Sequence, residues 1–371
     1  MHRLGRIRDE DFGYEQARHL LWRAGFGGSP QQIQTLAEWG AERSVEYLLG
    51  YDAVTDPEPP TPESFDRSIM RPATEEERRD YRRAQQVRDE NTLARFRLRR
   101  QEAQRADRRQ MRDIQRWWLA RMISTPRPLQ EKMALFWHGH FATSYRTIEN
   151  SYHMFMQNQL FRTRATGNLA DMLFQIIRDP AMLAYLDNNE SRKGSPNENL
   201  ARELLELFTL GVGNYSERDI KEGARALTGY SFDDDRFVFR ENQHDTGVKR
   251  ILGSSGPFDG DDFVKAILAQ RLIRVLDPNK IPDENPDPKI MNLVNITAEE
   301  RASHTIYKAN PKDGSSGYKG RQGIFELMEL NAEIRDLAFN TAAVAQIRKA
   351  ALSAGMRPLL GDGKIKILKG T

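Results

Sequence analysis

The 371-residue chain contains no cysteine. That excludes disulfides and thiolate metal sites, leaving His, Asp and Glu as the ligands a tight metal site would use. No apolar run reaches the roughly 18 residues that a membrane-spanning helix requires. Met1 to Phe12 is charged and lacks the apolar stretch of a signal peptide. The chain as written therefore reads as cytoplasmic, or as periplasmic or exported if a leader has been removed. An excess of one charge sign is also missing. Lys and Arg number 56 against 53 Asp and Glu, a formal net charge of +3. Whole-molecule charge thus argues for neither nucleic acid nor a membrane surface, and no nucleic-acid partner is expected. Several motifs are absent as well. There is no G-x-x-x-x-G-K-[ST] phosphate loop, so no nucleotide is expected, and there is no G-x-S-x-G elbow, H-E-x-x-H or H-x-x-E-H. Gly211-Val212-Gly213 follows a helical pattern rather than a strand, which rules it out as a dinucleotide loop.

What is present is mostly helical periodicity. Residues 1–72 read as an N-terminal helical layer: Tyr14 to Trp22, a second helix capped by Ser29-Pro30 and ended by Gly40, and a third from Ala41 to Leu49. Residues 73–124 read as one long charged helix. Thr74 to Ser124 holds no Pro or Gly, Thr74 and Glu77 form a capping box, and 13 Arg interleave with 9 acids between Glu75 and Asp113. The interleaving favours an exposed, salt-bridge-laced helix over an arm for nucleic acid or anionic lipid. Residues 125–276 read as a helical core. Within it, helices are expected from Leu129 to Phe136, Asn150 to Arg162, Leu169 to Arg178 and Glu217 to Leu227, and a short hairpin from Phe232 to Arg240. A Pro-rich linker begins at Asp277. It leads to a small module with a turn over Gly317–Arg321, a strand from Gly323 to Leu327, and helices from Ala332 to Phe339 and Val344 to Ala354. The fold class is mainly α, with a small α/β C-terminal module.

The chain is organised around Ser195 to Gly211. Ser195, Pro196 and Glu198 read as a helix start, and Gly211 as its stop. Leu200, Leu204, Leu207 and Phe208 form an apolar stripe. Asn199, Arg202, Glu203 and Glu206 share the adjacent face. Two further islands hold imidazoles: His138 and His140, flanking Gly139, and His244-Asp245. On a strand or turn, His138 and His140 point to one side. His138, His140, Glu203 and His244 are the candidate catalytic or metal-binding set, and Asn197, Asn199, Arg202, Glu206 and Asp245 are candidate binding residues. Imidazoles with carboxylates suit a divalent metal and equally suit general acid–base work. A solvated or internally paired face is the other reading of the same residues.

Several blocks resemble a bacterial family catalogued as domain of unknown function 1800. They are His19-Leu20-Leu21-Trp22-Arg23-Ala24-Gly25-Phe26-Gly27, Pro126-Arg127-Pro128-Leu129-Gln130-Glu131-Lys132-Met133, Phe136-Trp137-His138-Gly139-His140-Phe141, the Pro196-Asn197-Glu198-Asn199 helix through Gly211, His244-Asp245 and Phe258-Asp259-Gly260-Asp261-Asp262. The likeness runs from about Tyr14 to Gln270 and implies a mostly helical bacterial protein with no settled activity. From Leu268 onward, Leu268–Leu276, Gly317–Leu327 and Gly355-Met356-Arg357-Pro358-Leu359 resemble the C-terminal region of type II secretion and type IV pilus assembly ATPases. The four-cysteine zinc motif common in those proteins is missing, as is their nucleotide-binding core. The chain reads as a fusion, natural or assembled in a gene model, and the C-terminal module as a site for a protein partner. Two function classes stay open. One is metal-dependent hydrolase or oxidoreductase chemistry at the His/Glu set; the other is a non-catalytic binding or scaffold protein of a secretion, pilus or envelope system.

Overall fold

A computed structural model describes residues 7–270, 272–276, 278–311, 318–323, 333, 336, 344–356 and 358–370. The chain divides into two compact units, Met1–Ala266 and Ile267–Thr371. The boundary lies inside a helix, upstream of the expected linker.

The first unit is helical. α1 (Tyr14–Ala24) and α2 (Pro30–Leu49) bury Ala17, Leu21, Ile33, Leu36 and Leu48 against one another. Gly40 breaks the helical geometry of α2 with φ 79°, so the two expected helices meet there at a kink. The Thr74–Ser124 run is not one helix. α3 (Glu75–Val87) starts at the expected Thr74–Glu77 capping box and stops at Arg88, whose φ is 54°. Asp89 then caps α4 (Glu90–Ser124), accepting from Thr92 N at 3.1 Å. The two helices fold back on each other: Tyr81 meets Phe96 edge-on with ring centroids 5.4 Å apart, and Glu77 pairs with Arg99. A side chain in the left-handed region costs about 1 kcal/mol, and the thin apolar seam recovers it by burying Ala84 and Leu93. The far half of α4 docks on the core through Ile114 and Trp117, which pack with Phe65, Tyr152 and Phe155.

α5 (Pro128–His140), α6 (Tyr145–Ile148), α7 (Ser151–Thr163), α8 (Leu169–Ile176), α9 (Pro180–Tyr185), α10 (Asn199–Glu206) and α11 (Glu217–Ala226) build the rest of the core. Phe141, Phe155, Phe161, Leu173, Ile176, Met182 and Leu183 are fully or almost fully buried there. Each such side chain stabilises the fold by roughly 1.5–3 kcal/mol. Two antiparallel hairpins follow. β1 (Tyr230–Asp233) pairs with β2 (Arg236–Phe239), and β3 (Lys249–Ile251) pairs with β4 (Ser254–Gly256). α12 (Gly260–Gln270) crosses into the second unit. A Cβ at Gly223 would lie 2.5 Å from the Phe263 ring, so α11 can approach the start of α12 only with glycine there.

The second unit pairs β5 (Leu272–Leu276) with β8 (Tyr318–Gly323), and β6 (Ile281–Pro282) with β7 (Tyr307–Lys308), all antiparallel. α13 (Pro288–Leu293), α14 (Ala298–Ser303), α15 (Val344–Ser353) and α16 (Leu359–Leu368) complete its described elements. The expected turn at Tyr318–Arg321 is strand instead, because β5 offers it a partner edge. The strand expected over 324–327 and most of the helix expected over 332–339 lie outside the described residues. No described helix is long and apolar enough to cross a membrane.

Candidate functional site

The central segment forms its helix later than its capping signals indicate. Ser195 and Arg192 exchange backbone hydrogen bonds in a tight turn. The Asn197 side chain accepts from Asn199 N at 2.8 Å, and α10 begins at Asn199. Asn197 Nδ2 also donates to the Asp187 carbonyl at 3.3 Å. Leu200, Ala201, Leu204 and Leu205 are fully buried. Leu207, counted in the stripe, is exposed, because the helix ends at Glu206. Gly211, with φ 83°, closes the segment as expected.

The polar face of α10 divides its residues among different partners. Arg202 reaches outward to Glu217, with both terminal nitrogens at 3.0 Å, and to Glu198 at 3.3 Å. Glu206 accepts from the Tyr215 hydroxyl at 2.8 Å. Burial, and then the Glu206 charge one turn on, push the Glu203 carboxyl above its ordinary pKa. Arg202 therefore does not neutralise Glu206 as a pair.

His138 and His140 lie on a helix, the last turn of α5, and not on a strand or turn. Residues two apart on a helix are rotated by about 200°, so the two rings leave α5 on opposite sides. The His138 ring packs between Trp118 and Phe161, with centroids 4.9 and 4.7 Å away. Its Nε2 meets Asn158 Nδ2 at 3.1 Å. Burial, aided by the Arg162 charge, lowers its pKa to about 4, so it is neutral at pH 7. His140 Nε2 donates to the Phe208 carbonyl at 3.0 Å, tying α5 to the end of α10. His244 Nδ1 donates to the Thr228 carbonyl at 2.8 Å. Asp245 forms a two-pronged pair with Arg225 at 2.7 and 3.1 Å, and that guanidinium holds its carboxyl below the usual range. The structure thus joins His140 to the central helix and His244-Asp245 to the end of α11, and turns His138 away from both. Among the described residues, no group of three or more His, Asp or Glu is arranged to hold a metal ion.

Three buried polar clusters lie outside the candidate set. Glu131 is fully buried and accepts from Arg162 at 2.6 and 2.8 Å, Arg121 at 2.5 Å and Trp118 at 2.9 Å. Asp179 accepts from Gln157 at 2.6 Å and from Met182 N at 3.0 Å, and burial raises its pKa to about 7. Asp107 accepts from Ser151 N and Oγ and from the Tyr145 hydroxyl, at 2.6–2.8 Å. Glu131 offered one clue: it lies within the Pro126–Met133 block that carries the family likeness, three residues before the buried Ala134.

A family described as "Protein of unknown function (DUF1800)" matches residues 19–274, which hold α2 to α12 and every candidate residue above. The chain belongs to this family. Its C-terminal stretch, residues 257–371, matches a second family described as "Type II/IV secretion system protein". The two matches overlap around Leu268-Ala269-Gln270, where the sequence suits both. The curated relatives align with this C-terminal stretch. Type IV pilus assembly ATPase PilB of Thermus thermophilus is 30% identical over 116 residues, 31% of this chain and 13% of that protein. PilB of Myxococcus xanthus is 32% identical over 127 residues, 33% and 22% of the two chains. Type II secretion system protein E of Pseudomonas aeruginosa is 29% identical over 128 residues, 34% and 24%. The chain therefore spans between 13% and 24% of the length of these relatives.

Proposed function

We propose that this chain is a non-catalytic binding or scaffold protein of a bacterial secretion, pilus or envelope system. One observation carries the reading. The three imidazoles of the two His islands each spend a ring nitrogen on a fixed partner of the same unit: His138 on Asn158, His140 on the Phe208 carbonyl, and His244 on the Thr228 carbonyl. Rings committed in this way tie helices together, and buried polar groups need such partners. In this reading the C-terminal stretch serves as a docking segment without ATPase activity, since the chain has no phosphate-loop pattern. Its likeness to part of the pilus and secretion ATPases supports a partner within such machinery.

Metal analysis of the purified full chain tests the reading. Titration with zinc, manganese or iron(II) should leave less than about one tenth of a metal per chain after gel filtration, since a tight site requires a closed ligand set. Near-stoichiometric metal that His140→Ala removes would replace this reading with the metal-enzyme one.

The enzymatic reading keeps one observation in its favour. Glu203 and Glu206 are neighbours on α10, and Glu203 is held above its ordinary pKa. A carboxyl raised in this way, beside a second one, suits a proton donor. In that reading Glu203 supplies the proton, and Glu206 is oriented by the Tyr215 hydroxyl.

A further inference from the structure

We propose that the α3–α4 hairpin binds an anionic amphiphile: a single apolar chain or ring system ending in a carboxylate or phosphate. The site lies away from the His islands, and the proposal does not depend on the reading above.

The hairpin, with the Ser68–Ala73 segment before it, encloses a cavity of about 680 Å³. That size falls in the range of roughly 300–1,000 Å³ typical of small-ligand sites. Ile69, Met70, Tyr81 and Phe96 supply an apolar floor. Tyr81 remains 41% exposed although its ring packs edge-on against Phe96. The floor is therefore not sealed by the hairpin itself.

The rim has the opposite character. Arg71 and Arg99 both pair with Glu77, which neutralises one acid between them. Arg97 pairs with Glu90. Arg78, Arg82 and Arg100 line the same cavity, and among the described residues none of them has an ion-pair partner. Three unpaired guanidinium groups around an apolar floor select a ligand with both properties. A free anion would leave the floor wet, and a neutral lipid would leave the rim uncompensated. Guanidinium suits either head group, since its planar fork binds carboxylate and phosphate in the same two-pronged way. A nucleic-acid strand is disfavoured. Acids interleave with the arginines along α3 and α4 and repel a phosphate backbone.

Isothermal titration of the full chain tests the proposal, with each amphiphile kept below its micelle-forming concentration. Dodecyl phosphate and dodecanoate should bind at one saturable site. Inorganic phosphate and the neutral dodecyl maltoside should each bind at least about tenfold more weakly. Tighter binding of dodecyl phosphate than of dodecanoate would identify a lipid phosphate as the natural head group, and the reverse a fatty acid. Combining Arg78→Gln, Arg82→Gln and Arg100→Gln, all exposed positions, should weaken both anionic amphiphiles by about tenfold or more with unchanged helical content. The proposal fails if inorganic phosphate matches dodecyl phosphate, if dodecyl maltoside matches it, or if the triple variant binds as the natural chain does. It also fails if a single-stranded oligonucleotide displaces dodecyl phosphate at equal concentration, which would make the rim a nucleic-acid site. The head-group comparison on the natural chain decides the matter even if the triple variant does not fold.

Discussion

Arg162 grips Glu131 with two nitrogens, Nε 2.6 Å from one carboxylate oxygen and a terminal nitrogen 2.8 Å from the other. Both side chains are buried, and Arg121 reaches the same carboxylate from α4 at 2.5 Å. Burial alone would raise the Glu131 pKa, but Arg162 and Arg121 outweigh it and hold it below the ordinary value. This cluster clamps α4, α5 and α7. Replacing Glu131 by Gln leaves the buried Arg162 without its carboxylate, while Arg121 keeps Asp56, and removing one partner of a buried pair costs about 3–5 kcal/mol. Chemical denaturation should report a loss of that order. A loss below about 1 kcal/mol, the value of an exposed pair, would show that the cluster adds little. The carboxyl is depressed in the folded state, so its contribution is complete above its unfolded pKa and disappears as pH falls through the folded one.

His138 slopes the same way, at mildly acid pH. Its folded pKa is about 4, against 6.5 for a free imidazole. Between those values the unfolded chain binds a proton that the folded chain refuses, so stability falls as pH drops from 6.5 towards 4. Two-dimensional NMR of the imidazole signals should show one ring titrating near pH 4, and that signal should vanish in His138→Phe. A His138 midpoint near 6.5 would mean that the ring is solvated.

Asp179 slopes the other way. Its carboxyl is raised from 3.8 to about 7 by burial. The folded chain therefore holds a proton that the unfolded chain gives up, and stability drops as pH rises from 3.8 through 7. Asp179→Asn keeps a side-chain oxygen for Gln157 Nε2 and Met182 N, and removes the ionisation. The variant should lose that decline, which amounts to a few kcal/mol for a shift of this size. Parallel pH profiles of the variant and the natural chain would refute the assignment.

The sequence carried local grammar well and long-range partnership poorly. Thr74 with Glu77 caps a helix as its pattern indicates, Gly40 breaks α2, and Gly211 closes the α10 segment. Each is a contact or dihedral set within a few residues. The failures share a cause. The turn at Arg88 uses neither Gly nor Pro and exists because Tyr81 and Phe96 meet across it, a partnership that no local signal records. Ser195 and Pro196 suggest a helix start, but Ser195 is held in a turn with Arg192 and the helix waits for Asn199. Gly139 made His138 and His140 look like a turn, although α5 runs through it. Of the candidate residues, only His244 is buried, and the pattern could not assign any of them to its partner. Glu131, Arg121 and Arg162 were not among the candidates because their partners are brought together only by packing.

The Arg88 turn gives a local test. Asp89 caps α4 through Thr92 N, and losing such a cap costs about 1 kcal/mol. The hairpin has a thin seam, so Asp89→Ala should open it without unfolding the core. Trypsin should then cut between Arg78 and Arg100 faster than in the natural chain, while the thermal midpoint of the remaining protein stays put. Unchanged cleavage in this stretch would mean that the seam, rather than the cap, holds the turn.

The two units provide the last test, and the position of the cut decides its value. The family match ends at residue 274, and Leu276 precedes the Pro-rich stretch, so a chain ending at Leu276 appears natural from the sequence. It would retain β5, Leu-Ile-Arg-Val-Leu, and discard β8, its antiparallel partner. An apolar strand with an open edge invites pairing with other copies. A chain ending at Gln270 keeps α12 whole and leaves no orphaned strand. The core of the first unit, from Ala17 to Val264, is untouched by that cut. The Gln270 chain should therefore melt in one cooperative step and stay monodisperse, whereas the Leu276 chain should associate as concentration rises. If the Gln270 chain also aggregates or melts without cooperativity, the helical unit depends on the C-terminal stretch. Independence of the two units would then be wrong, whatever the sequence likenesses of each half.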